Sequence, residues 1–517
     1  MKRPLPFPRA LVALWLLVVA FFVVWYHGET VPQPLPDAPT RPNADARLPC
    51  VSYSPYFRAG VTPLDPNTQI PPEWIDLDLQ ALAKITRCVR TYSVDQGLDR
   101  VPEFAARHGL TVWLGAWIGR DDKKNAQELA RAIALANQYR GVVTRLIVGN
   151  EVLLRREQTP ENLARYLEQA KTQAQVPITY ADVWEFWLRY RNALLPHVDL
   201  ATIHILPYWE DRPQPIDSAA EHLFRIRTMA RQVLGAIPIA IGETGWPSAG
   251  KQREGAVPSR VNQAKYVRDV LSLAATFNWD VNFIESHDQP WKRALEGTVG
   301  GYWGVLNTAQ EPKFPLTGPV AERDTLWPPL TAALMGAVLL PLIASLRRWP
   351  VTLLGAALGF TAFWQWEHAV VAYRNAWEWG ALGATGVVAL VVAVALAARP
   401  TYRATPPDWL TVASSYLLFA LAVANVWLVV DGRYRDYATC LYLPLALVAP
   451  LRHWSVTLTE RLWSAIALLC AAFVWLKEAM NGQALLWFLT TAAITLSLPR
   501  ARAASSQATR VAPTAPQ

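Results

Sequence analysis

Charge is scarce in this chain, and cysteine is scarcer. Only 17 % of the 517 residues are charged while 52 % are hydrophobic, and the shortage is uneven. Residues 44–320 carry mixed charge, whereas Leu326 to Leu498 is largely apolar with charge confined to short islands. That pattern excludes a wholly soluble protein and implies one soluble domain joined to a membrane domain. The four cysteines fall in no Cys/His spacing that would hold zinc, so no metal site is expected. Cys440 and Cys470 lie in apolar runs and read as buried thiols. Cys50 and Cys88 each open a candidate strand. A disulfide between them and a pair of buried reduced thiols both fit, the first requiring Cα atoms about 4.4–6.8 Å apart.

Two further absences narrow the reading. A doubly wound sheet would place a Gly-rich nucleotide loop after its first strand, where this chain has Tyr53-Ser54-Pro55-Tyr56, so no nucleotide cofactor is expected. The net charge of +8 does not cluster on a soluble face as nucleic-acid binding requires. Much of it flanks apolar runs instead, at Lys2, Arg3, Arg9, Arg347, Arg348, Arg399, Arg403, Arg452, Arg461, Arg500 and Arg502. Nucleic acid is therefore not expected as a partner, and the lipid bilayer is.

Ala10 to Tyr26 is too long and too aromatic for a signal peptide, with Trp15, Phe21, Phe22, Trp25 and Tyr26, and no small-x-small site follows. Residues 1–30 read as an uncleaved anchor, with cleavage as the alternative. Seven more apolar runs follow, at roughly 327–346, 350–370, 379–398, 409–430, 436–451, 462–477 and 483–498, making a transmembrane domain over 326–499. With eight spans in all, both termini are cytoplasmic. The eleven basic residues above then face inward, and only Arg374, Arg433, Arg435 and Lys477 face outward. Residues 31–47 are a Pro-rich, stiff tether, and 500–517 a disordered cytoplasmic tail.

Across 48–320, short apolar strands alternate with amphipathic helices. The strands are expected at Cys50–Ser54, Cys88–Tyr92, Thr111–Ala116, Leu146–Asn150, Pro177–Ala181, Leu200–Ile205, Ile237–Gly242 and Val281–Glu285. Helical spacing marks 126–139, 160–174 and 262–276 between them, and Thr159 precedes Pro160 as an N-cap before an N1 proline. Eight such units predict a (β/α)₈ TIM barrel followed by an all-α polytopic transmembrane domain.

Two of the strands end alike. Leu146-Ile147-Val148-Gly149-Asn150 is followed by Glu151, and Ile239-Ala240-Ile241-Gly242 by Glu243. A carboxylate beside an apolar strand is costly unless it sits at an exposed end. Both are therefore expected at exposed C-terminal strand ends, where barrel active sites form. Paired carboxylates at one mouth are the machinery of glycoside cleavage. Asn150 is placed to reach the sugar 2-hydroxyl. Trp117, Trp184, Trp209, Trp246, Trp291, Tyr302 and Trp303 are candidate sugar platforms, Trp246 and Trp291 foremost. Tyr208 reads either as a partner of Glu243 or as core; Tyr53 and Tyr92 are of the same type. Arg90 reads as a partner of a buried acid, and His204 as a sugar contact or a rim residue.

The run Gly242-Glu243-Thr244-Gly245-Trp246-Pro247-Ser248 closely resembles the nucleophile signature of glycoside hydrolase family 17, best known from plant β-1,3-glucanases. Val148-Gly149-Asn150-Glu151 resembles that family's acid/base strand, and Arg90-Thr91-Tyr92-Ser93 its second strand. His204-Ile205-Leu206-Pro207-Tyr208-Trp209 resembles the sixth-strand segment; Asp288-Gln289-Pro290-Trp291-Lys292 and Gly304-Val305-Leu306-Asn307 resemble the closing region. The resemblance runs in order over roughly 48–318 and is nearest to bacterial membrane-attached members. It implies Glu151 as acid/base, Glu243 as nucleophile, retention of configuration, a β-glucan substrate and no cofactor. Sugar contacts are expected from Asn150, Tyr53, Tyr92, His204, Tyr208, Trp209, Trp246, Asp288, Trp291 and Lys292. It also implies a bacterial inner membrane with the barrel on the periplasmic side. Where plant members carry a further acid after strand eight, this chain has Ser286-His287-Asp288-Gln289.

Hydrolysis and transglycosylation use the same pair and stay open at this stage. So do remodelling or branching alongside a membrane glucan synthase, and a non-catalytic glucan-binding module, which would need no carboxylate pair. A nucleotide-sugar synthase would need a cytoplasmic domain, and the inward loops are too short to hold one. A glycan channel through the spans would need more intramembrane charge.

Overall fold

The computed structural model describes residues 8–39, 47–344, 349–399, 405–452, 454 and 456–498. The expected tail at 500–517 and residues 40–46 of the expected tether lie outside them. The chain divides into two compact units. One is Gly28–Asp324 together with Arg433–Asp436; the other holds the N-terminal helix and the apolar helices after Thr325.

Eight strands build the first unit: β1 (Cys50–Ser52), β2 (Cys88–Arg90), β3 (Thr111–Ala116), β4 (Val143–Asn150), β5 (Ile178–Val183), β6 (Ala201–His204), β7 (Ile239–Thr244) and β8 (Asp280–Phe283). They close in sequence order into one barrel, and every neighbouring pair is parallel. The expected strands are all present, with shifted ends. Strand β4 begins at Val143, three residues before the expected start, and β7 runs on to Thr244, so Glu243 lies inside the strand. Three crossover helices begin at capping side chains: Asp121 accepts from the Lys123 and Lys124 amides, Thr159 from Asn162, and Ser259 from Asn262.

Strand alternation sorts the side chains into two sets. Val51, Val89, Val112, Leu114, Leu146, Val148, Ile239 and Ile241 join the large core shared with the helices. Cys50, Cys88, Trp113, Ile147, Ala181, Leu200 and Ala240 form a separate, smaller cluster, the packed lower layer of the barrel interior. Two residues further along β1, β2 and β6, the same face turns polar: Ser52 above Cys50, Arg90 above Cys88, Thr202 and then His204 above Leu200. An apolar floor thus supports a polar layer at the C-terminal mouth.

A disulfide joins Cys50 to Cys88 in that floor, with Cα atoms 4.3 Å apart. This decides between the two readings that the sequence left open.

The second unit is helical. Among the described residues, four helices are long and apolar enough to cross a membrane: Arg9–Thr30, Ala376–Ala398, Asp408–Asp431 and Leu458–Lys477. Shorter apolar helices lie at Trp327–Ile343, Thr439–Leu451 and Gly482–Leu496, and a further helix at Trp349–Ala372. The N-terminal helix is packed into this unit: Trp15 is fully buried and its indole N–H donates to the Leu447 carbonyl at 2.8 Å. Helices Trp327–Ile343 and Trp349–Ala372 touch backbone to backbone, since a Cβ on Gly336 would fall 2.1 Å from the Gly355 carbonyl oxygen.

Alkylation of the unfolded, unreduced chain is expected to label Cys440 and Cys470 only, with Cys50 and Cys88 reacting after reduction; mass spectrometry of the peptides reads this. Replacing both Cys50 and Cys88 by Ala is expected to lower barrel stability by about 2–4 kcal/mol.

Candidate active site

The polar layer is organised by one buried cation. Arg90, fully buried at the end of β2, donates through Nη1 to the Gly242 carbonyl at 2.7 Å and to Glu243 Oε1 at 3.0 Å. Its Nη2 donates to Asn150 Oδ1. One guanidinium therefore ties β2 to the ends of β4 and β7. Tyr92 donates to the same Glu243 oxygen at 3.0 Å and stands 2.9 Å from Ser52 Oγ. Burial, and then the Glu243 charge, hold the Tyr92 phenol far above its ordinary range, so it remains a donor. Asn282 donates to Ser52 at 2.8 Å and to the Gly242 carbonyl at 2.7 Å.

Glu243 is only 4 % exposed. The expectation of an exposed strand end is corrected here: its charge is sustained by Arg90 and Tyr92 instead of by water. Gly242 has a steric reason to precede it. A Cβ there would lie 2.4 Å from Thr202 Cγ2 and 3.0 Å from the His204 ring, so glycine is what lets β6 bring His204 alongside.

Glu151 follows β4 in a left-handed conformation, at φ 51°, two residues after Gly149 at φ 84°. For a glutamate this costs on the order of 1–3 kcal/mol, and the Glu151 amide is held to the Ala181 carbonyl at 2.8 Å. His204 Nδ1 is 3.1 Å from Glu151 Oε1, and its Nε2 is 3.7 Å from Glu243 Oε1. Burial pushes the Glu151 carboxyl upward, but the His204 hydrogen bond and charge, with Arg155 and Arg90, outweigh it and hold the group below the usual carboxylate range. Behind it, burial raises Asp182 to about 6, and the Glu151 charge adds to that rise.

Among the described residues, Glu151, His204 and Glu243 form a group whose donor atoms all lie within 4.8 Å of one another. Three such atoms could hold a metal ion. Here the Arg90 cation already sits 3.0 Å from Glu243 Oε1 and would repel a second positive charge.

A cleft of about 1270 Å³ opens above this group. Its walls include Tyr53, Tyr92, Asn150, Glu151, His204, Trp209, Glu243, Trp291 and Lys292 from the expected site, together with Trp117 and Trp303. Within the wall, Tyr53 donates to Asp78 at 2.9 Å.

Three expected sugar contacts are placed elsewhere, and those readings are corrected. Trp246 is fully buried, with its indole N–H on the Val257 carbonyl at 3.0 Å. Tyr208 is fully buried and donates to the Lys251 carbonyl at 2.7 Å. Asp288 is buried against Lys313 Nζ at 2.7 Å and the Gly304 amide at 3.0 Å. Each satisfies a buried polar partner beneath the rim, and sequence position alone cannot separate that duty from facing the cleft. Trp184 and Tyr302 likewise are not among the cleft-lining residues.

The sequence reading passed over Glu285. It follows β8, is 1 % exposed, and forms an ion pair with Lys292 at 2.6 Å. Burial raises its carboxyl to about 7 despite that lysine. Lys292 thus holds an acid as well as lining the cleft. The signal was present, since Val281-Asn282-Phe283-Ile284-Glu285 is again an apolar strand ending in a carboxylate.

Residues 50–304 match the family described as the BtgE/BtgC glycoside hydrolase domain. A glucan 1,3-beta-glucosidase of Saccharomyces cerevisiae is 26 % identical over 267 residues, 47 % of this chain and 84 % of that protein. A probable beta-glucosidase btgE of Aspergillus flavus is 29 % identical over 225 residues, 42 % of this chain and 36 % of that protein. Among solved structures, a glycoside hydrolase family 17 β-1,3-glucanosyltransferase from Rhizomucor miehei is 27 % identical, covering 52 % of this chain and 97 % of that one with a TM-score of 0.46.

Arg90→Met is expected to leave the Glu243 charge buried and unpaired, costing about 3–5 kcal/mol. The thermal midpoint of the full-length protein in detergent should fall. Adding Glu243→Gln removes the orphaned charge and should restore most of the loss, a coupling that a double-mutant cycle reads directly.

Proposed function

From a barrel that belongs with the family 17 type of glycoside hydrolase, an O-glycosyl hydrolase or glucanosyltransferase, we propose that this chain is a membrane-held retaining enzyme acting on β-1,3-linked glucan. The observation that carries the reading is the approach of Glu151 and Glu243, with an oxygen of each within 4.8 Å of the other. Retaining glycosidases hold their two carboxyl groups about 5–5.5 Å apart, too close for a water molecule to attack between them.

Glu243 is the proposed nucleophile. Arg90 and Tyr92 both donate to its Oε1, which leaves the second oxygen to attack the anomeric carbon. Glu151 is the proposed acid, protonating the leaving oxygen and then acting as base on the incoming hydroxyl. Asn150 gives its carbonyl oxygen to Arg90, which orients its amide as a donor for the sugar 2-hydroxyl. Tyr92, His204, Trp209, Trp291 and Lys292 are the proposed sugar contacts in the cleft wall, with Tyr53 buried behind them on Asp78. Water resolving the glycosyl-enzyme gives hydrolysis; a glucan hydroxyl gives transfer. A non-catalytic module would have no use for an arginine, a tyrosine and a histidine converging on two carboxylates.

The proposed setting is the inner membrane of a bacterium, with the barrel on the periplasmic side. The Cys50–Cys88 disulfide favours an oxidising compartment. Bare apolar side chains on the helical unit, such as Leu469 at 72 % and Val430 at 73 % exposure, favour lipid around it. Remodelling of glucan beside a membrane glucan synthase belongs to this setting and remains the alternative to simple degradation.

Incubation of the purified protein with reduced laminari-oligosaccharides, followed by mass spectrometry, tests the reading. Shorter products alone indicate hydrolysis, and longer ones indicate transfer. No turnover by the wild type, or full turnover by Glu243→Gln, would remove the proposal. Because Glu151 must be protonated to act as acid and is held below the usual range, activity should favour acid and decline as pH rises. His204→Ala removes that hold, so the alkaline limb of kcat/KM should move to higher pH.

A further inference from the structure

Two residues far along the chain line the cleft, and we propose that Arg433 and Tyr434 form a glucan subsite that the barrel sequence itself does not encode. The inference rests on the glucan reading above and extends it to the extent of the bound chain. Arg433–Asp436 belong to the same compact unit as the barrel, although the barrel segment of that unit ends at Asp324. Arg433 and Tyr434 line the same cleft as Asn150, Glu151 and Glu243.

The segment is seated at several points. Arg433 Nη2 donates to the Trp209 carbonyl at 3.1 Å, and its guanidinium stands 5.4 Å from the Trp209 ring centre. Thr298 Oγ1 donates to the Asp436 carboxylate. Between these anchors Gly297, at φ 74°, makes room: a Cβ there would lie 2.3 Å from the Tyr434 carbonyl oxygen. The loop after β6 and the loop after β8 therefore both receive it.

The side chains at the top of this seat suit a pyranose. The Trp209 and Trp303 rings are nearly parallel, with centres 6.4 Å apart, and the Tyr434 ring lies 6.0 Å from Trp209. Tyr434 is 40 % exposed even though its backbone is clasped. A tyrosine serving only as packing would be buried; this one is exposed and lines the cleft. The Arg433 guanidinium has five N–H donors and spends one on Trp209, so others are available for sugar hydroxyls.

The test is the dependence of KM on substrate length. Full-length wild type, Tyr434→Ala and Arg433→Ala are assayed on laminari-oligosaccharides of increasing length. The variants should raise KM by about 3- to 10-fold on the longest substrates, with the effect shrinking as the substrate shortens. Thr298→Val removes an anchor of the segment without touching the cleft wall and should act in the same direction. A KM unchanged at every length, or raised equally at every length, would overturn the inference while leaving the glucan reading intact. A wild type inactive on β-1,3-glucan of every length would overturn both.

Discussion

The mouth of the barrel depends on a guanidinium with almost no access to water. Arg90 binds the Gly242 carbonyl, Glu243 and Asn150 at once. A buried ion pair of this kind adds little net stability, because desolvation consumes most of the attraction. Its value is geometric. Arg90 supplies two rigid N–H pairs at fixed angles, so the ends of β2, β4 and β7 cannot drift independently. The floor beneath serves the same end: Trp113, Ile147 and Leu200 fill the lower interior, and the Cys50–Cys88 bond fixes the strand that carries Arg90.

The fold was legible because period-2 strands and 3.6-period helices alternate without ambiguity, and capping residues such as Thr159 mark helix starts. The carboxylates were legible because Gly-Asn-Glu and Gly-Glu interrupt apolar strands. Burial was not. Glu243 was expected in water because a strand end is normally wet; what keeps it charged is an arginine more than 150 positions earlier. The aromatic residues divided for a related reason. Trp246 and Trp209 are both tryptophans in strand-end loops, yet only Trp209 faces the cleft. The difference lies in burial, with the Trp246 indole N–H taken by the Val257 carbonyl, and that is a tertiary fact. Arg433 and Tyr434 gave no local signal, since their role depends on a loop returning to a distant barrel.

The helical unit is built by different rules. Its exposed surface is apolar, and in the lipid setting proposed for it burial of hydrophobic area would not drive packing as it does in the barrel. Close approach at Gly336 and Gly355 and buried polar contacts do so instead, as in the Trp487 indole N–H donating to Asn425 Oδ1 at 2.8 Å. Trp15 ties the first helix to the last third of the chain, so the N-terminal segment is an integral member of its unit.

The arrangement of His204 bears on how one carboxyl could serve as acid and then as base. With donor atoms of Glu151 and Glu243 within 4.8 Å, two negative charges would repel by roughly 3 kcal/mol at an effective dielectric constant near 20. While Glu243 is ionised, that repulsion works against the pull of His204, Arg155 and Arg90 that holds the Glu151 carboxyl below its usual range. In the proposed cycle Glu243 becomes a neutral ester, the repulsion disappears, and the His204 contact at 3.1 Å then favours the ionised form of Glu151. The same side chain is then ionised, and so able to accept a proton, at the moment a base is needed. The identity of the hydroxyl presented to it, water or a second sugar, is set by how well the cleft walls hold an acceptor. On this argument the choice between cutting and joining glucan belongs to residues such as Trp209, Trp291 and Tyr434, and not to the two glutamates.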